Sequence, residues 1–139
     1  MYNPTRSEAR AFLYSAWQHY RAGEPLSGLE RVAVEIIALH PEYHALLEAR
    51  EPDVEREFAP EAGQVNPFLH LSLHLGIAEQ LATDRPAGVR AEFERLVAAR
   101  DRHGALHELL DCLGETMWRA QRDGVAPDAQ AYVECLRRR

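Results

Sequence analysis

Long apolar runs are missing from this chain of 139 residues. No stretch approaches the roughly 18 uninterrupted apolar residues of a membrane span, so no membrane partner is expected. The opening "MYNPTRSEAR" lacks an apolar h-region, and no secretory signal is expected either. Basic charge is also short: 16 Lys and Arg stand against 22 Asp and Glu, a net charge of −6. That balance disfavours nucleic acid and anionic surfaces as partners. The closing Arg137-Arg138-Arg139 is too short to reverse it and reads as a solvated helix end. Cysteine is scarce. Cys112 and Cys135 have no CxxC spacing, which suits two reduced thiols in a cytoplasmic protein better than a disulfide, with Cys112 packed in the core.

Signatures of several enzyme classes are missing too. There is no Gly-rich phosphate loop and no GxSxG. No HExxH occurs, because Pro41, Leu71 and Gly104 follow the first histidine of the three His-x3-His strings, and a zincin protease needs Glu there. No Glu-x-x-His precedes them, so the ferritin-type di-iron pattern is lacking. No solenoid repeat is present.

What is there reads as one all-α domain over 1–139, a bundle of five to six helices. "TRSE" (Thr5 to Glu8) and "SGLE" (Ser27 to Glu30) have capping-box spacing and start helices over roughly 5–22 and onward from Leu29. Pro41 kinks or ends the second helix, and a restart there runs to about Ala49. Residues 50–65, charged and holding two prolines, read as a loop or lid. Later stripes are Val89, Phe93, Leu96 and Val97, then Leu106, Leu109, Leu110, Leu113 and Met117, with Asp101 as N-cap and Gly124 as stop. "PDAQAYVECLRR" is a short last helix.

Between them, "NPFLHLSLHLGIAEQL" alternates apolar and polar residues from Leu69 to Ile77, as a half-buried strand does. A strand needs a partner, and nothing else in the chain alternates over a comparable length. Asn66-Pro67 is good helix-start chemistry. Residues 67–81 are therefore expected to be a helix, apolar on most sides and central to the bundle. Its two histidines, His70 and His74, are then buried, and a buried imidazole needs a partner.

Histidine is the one residue in excess. Six of the seven fall in pairs of the same spacing: His40 and His44, His70 and His74, His103 and His107. At i and i+4 on a helix, two side chains share one face. Chance predicts well under one such pair. His40 continues the Leu29, Ala33, Ile36 and Ile37 line inward, and His103 and His107 edge the Leu106 stripe. The three pairs point to a shared site for one or two transition-metal ions, since imidazole is the commonest neutral metal ligand. Fe or Zn are favoured over Cu and Ni, and Mg and Ca are disfavoured. Asp111 extends the last pair as a further ligand, and Asp111 or Glu115 is the candidate base or bridge. Glu48 reads as a solvated charge, Glu79 lies off the histidine line, and His19 is a core or surface residue.

The run "HPEYH … NPFLHLSLHL … EQLATDRPAGVR … DCLGETMWRAQR" resembles an uncharacterised bacterial family catalogued as domain of unknown function 1841, over most of the chain. The resemblance implies a single-domain, soluble bacterial protein and no particular activity. The family pattern implies Glu at residue 111, where this chain has Asp111. The architecture is similar, more loosely, to hemerythrin-type and DinB-type histidine-rich bundles.

Two function classes follow. One is a metalloprotein that binds dioxygen species or a small molecule, or activates water at a zinc site. The other is a non-catalytic interaction module whose histidines form a buried hydrogen-bond network, with its protein partner undefined. A bis-His haem binder is a weaker third.

Overall fold

In a computed structural model, residues 6–49 and 66–139 are described, and all their regular structure is helical. The Thr5 cap and the 50–65 loop lie outside them. Seven α-helices are present among the described residues: α1 Arg6–Arg21, α2 Gly28–Ala38, α3 His44–Leu47, α4 Pro67–Thr83, α5 Val89–Ala99, α6 Arg102–Asp123 and α7 Ala129–Arg137. The expected five to six was too few. Pro41 is the reason. A residue before proline is pushed out of the helical region, and His40 sits at φ −126° and ψ 66°. The chain leaves α2, makes a 3-10 turn over Pro41–Tyr43 and enters α3 as a separate element.

The chain divides into two compact units, Met1–Leu75 and Gly76–Arg139. α4 contributes its first half to one and its second half to the other. In the first unit, α1 supplies Leu13, Tyr14, Ala16 and Trp17 to a core completed by Ala33, Val34 and Ile37 of α2, Leu47 of α3, and Phe68, Leu71 and Leu75 of α4. The capping box at Ser27 is formed in both directions, satisfying orphan donors at the start of α2. His19 joins the same helix end, with Nδ1 2.5 Å from Glu30 Oε2. Glu48 accepts from Trp17 Nε1 at 3.2 Å and pairs with Arg21 at 3.6 Å.

Asn66 caps α4 as expected: its Oδ1 accepts from the backbone N–H groups of Phe68 and Leu69, each at 3.1 Å. From Pro67 to Leu81 only Leu69 is exposed. The alternating run is helical, and its apolar residues do not lie on one side: Leu71, Leu75 and Ile77 are buried, whereas Leu69 is exposed.

In the second unit, Asp101 caps α6 and Gly124 ends it in the left-handed region at φ 65°, where glycine carries no Cβ penalty. Arg95 Nη2 donates to the Leu136 carbonyl at 2.9 Å, joining α5 to α7. Glu108 pairs with Arg100 at 3.1 Å and Arg139 at 3.2 Å. Tyr132 donates to Gln80 Oε1 at 2.7 Å, and burial pushes its hydroxyl well above the usual tyrosine range.

The two cysteines overturn the reduced-thiol expectation. Cys112 of α6 and Cys135 of α7 form a disulfide, with Cα atoms 5.8 Å apart. Both face the packed seam between the two helices, Cys112 fully buried and Cys135 nearly so. A separation of 23 residues contains no spacing signal. The pairing is created by the packing of α7 on α6.

Candidate metal centre

The break at Pro41 sets the site. His40 follows the inward line of α2 and is buried. Its Nδ1 donates to the Ile36 carbonyl at 2.8 Å. That bond fixes the ring's orientation and leaves Nε2 for other partners, the arrangement that orients metal-bound imidazoles. α4 presents His70 and His74 one turn apart on the same face, the first half-buried and the second buried.

These three rings meet. His40 Nε2 lies 3.0 Å from His70 Nε2. Ring centroids are 4.8 Å apart for His40 and His70, and 4.9 Å for both other pairings. The rings stand at 65–73° to one another, so they converge edge-on and do not stack. One nitrogen from each lies within 4.8 Å of the others, a set able to hold one metal ion. Nitrogens about 2.0–2.1 Å from a tetrahedral ion are roughly 3.3 Å apart. The three imidazoles fit such an ion after small ring movements.

Tyr43 is the residue sequence reasoning missed. It lies inside the "HPEYH" string, and its ring stacks on His40 at 5.5 Å with an interplanar angle of 3°. It also meets His70 edge-on at 6.0 Å. Its hydroxyl is pushed above the ordinary tyrosine value by burial first, and then by the Glu42 charge. An aromatic between two spaced histidines was the available signal. The 3-10 turn is what brings it over the rings.

The other expected ligands are placed elsewhere. His44 turns its Nε2 to the Ile37 carbonyl at 2.9 Å, and its ring packs on Trp17 at 4.6 Å. His103 and His107 face each other at 4.3 Å on an exposed face of α6, in the second unit. Asp111 is exposed on the same helix, and Glu115 pairs with Arg119 at 2.7 Å. The reason is a rotation of the helix. Its buried residues are Ala105, Leu109, Leu110, Cys112, Thr116 and Ala120, so Leu106 and Leu113 flank the core and the histidines turn outward.

No helix among the described residues is long and apolar enough to cross a membrane. No curated protein and no solved structure is matched by the chain. A family model described as "Domain of unknown function (DUF1841)" matches residues 5–138. The chain belongs to that family.

Proposed function

Since membership of DUF1841 brings no chemistry with it, we propose from the residues alone that this protein binds a single transition-metal ion through His40, His70 and His74. The observation that carries the reading is the convergence of three imidazole nitrogens within 4.8 Å, held by the carbonyl of Ile36 behind His40. Imidazole donors favour Zn or Fe, with Cu and Ni next, and offer little to Mg or Ca. Three neutral ligands would leave a coordination position open, and an ion there supplies Lewis acidity toward a small molecule or water. The protein's own part is to hold the rings and shield them. Tyr43 stacks on one face of His40, and His40 and His74 are buried while His70 is half-buried.

A second reading rests on the 3.0 Å contact between His40 and His70. It makes the cluster a hydrogen-bonded core element of an interaction module, with no ion. Haem is disfavoured by the same contact, because axial ligation would need a macrocycle between two rings that already touch. The test is elemental analysis of tag-free protein after a brief chelator wash, alongside His40→Ala, His70→Ala and His74→Ala. The metal reading expects bound metal in the parent and its loss in each variant. Equal content in all four chains would overturn it in favour of the hydrogen-bonded core.

A further inference from the structure

The buried cluster leaves one histidine pair unabsorbed. His103 and His107 lie one turn apart on α6 with rings 4.3 Å between centroids and tilted by 45°, both exposed. The helix holding them is well fixed at that end: Asp101 Oδ1 accepts from the Gly104 N–H at 2.6 Å, and Ala105 and Leu109 are buried on the opposite face. Asp111 follows another turn along and is exposed as well. A rigid helix that places two imidazoles side by side pays little ordering entropy when both bind one ion.

We infer that His103 and His107 form a second, independent metal site that chelates a borderline divalent ion such as Zn²⁺ or Ni²⁺ from solvent. The ion takes one nitrogen from each ring, and the remaining positions face water, with Asp111 one turn further along the helix. Imidazole suits these ions and not Mg²⁺ or Ca²⁺. The site differs in kind from the buried one. It is open and built from a single helix. Metal there exchanges quickly, whereas an ion held by His40, His70 and His74 is shielded.

The experiment is equilibrium dialysis of the full, tag-free chain against Zn²⁺ alone, comparing the parent with a His103→Ala/His107→Ala variant and a His40→Ala/His70→Ala variant. Circular dichroism checks that each variant keeps the parent's helicity. The expected result is loss of one rapidly exchanging ion per chain in the His103→Ala/His107→Ala variant only, with Mg²⁺ unable to compete. Unchanged Zn²⁺ uptake in that variant overturns the inference. So does loss of all uptake when only His40 and His70 are replaced. Failure of the buried-site reading looks different: the His40→Ala/His70→Ala variant then matches the parent while the exposed site still titrates.

Discussion

His40 and His70 share a hydrogen bond between their Nε2 atoms at 3.0 Å while His40 Nδ1 donates to the Ile36 carbonyl. With its own proton on Nδ1, a neutral His40 accepts and His70 donates. Each ring thus depends on the other inside a largely buried site.

Removing one partner should therefore cost more than removing a surface histidine. His70→Ala leaves the buried Nε2 of His40 without its donor, and unmet buried groups cost about 1–3 kcal/mol. Urea denaturation should show a loss in that range. Zn²⁺ that binds only the folded chain should raise the parent's melting temperature through linkage. The buried-site share of that rise should be missing in the variant. Equal stability of the two chains would show that the pair carries no net energy.

The disulfide should matter to stability through the chain it closes. Cys112→Ser/Cys135→Ser removes a link spanning 23 residues, and loop-closure entropy for that length is worth about 3 kcal/mol. Denaturant midpoints for the variant, and for parent protein kept in a thiol reductant, should fall together. A variant as stable as the parent would mean that α7 is held by its packing and by its polar contacts through Arg95, Tyr132 and Arg139.

The α1–α2 junction should show itself in acid. Glu30 is held below the usual carboxylate range, chiefly by the backbone N–H of Ser27 and then by the His19 ring. A carboxylate with a depressed folded pKa contributes stability that is complete above its unfolded value, near 4.5, and is lost as pH falls through the folded value. Thermal melts of Glu30→Gln should show a shallower decline below about pH 5 than the parent. Identical acid limbs would remove Glu30 from the account.

Much of this molecule is legible in the sequence because capping chemistry is local. Ser27, Asn66, Asp101 and Gly124 each mark a helix boundary with their own side chain or backbone, and each is used as such. Of the three His-x3-His pairs, the spacing tells truly only for His70 and His74, which share a face of α4. His40 joins them through the break at Pro41, while His44, His103 and His107 have the same spacing and lie elsewhere. The rotation of α6 was not legible. Leucines dominate any apolar stripe, yet beside Leu109 and Leu110 the buried residues are Ala105, Cys112, Thr116 and Ala120, whose small side chains permit close approach but give little hydrophobic signal. The same blind spot hid the disulfide, which depends on how closely α6 and α7 approach. Tyr43 was hidden for another reason: a 3-10 turn, unlike an α-helix, aims its side chains by a period that the histidine spacing does not report.

The cross-link between α6 and α7 has a topological consequence. Residues 124–128, which join the two helices, are exposed throughout, the kind of segment that proteases reach first. A cut there would sever the backbone and leave both pieces covalently one molecule. The final helix would keep its place without depending on peptide continuity, and only a reductant would release it as a fragment.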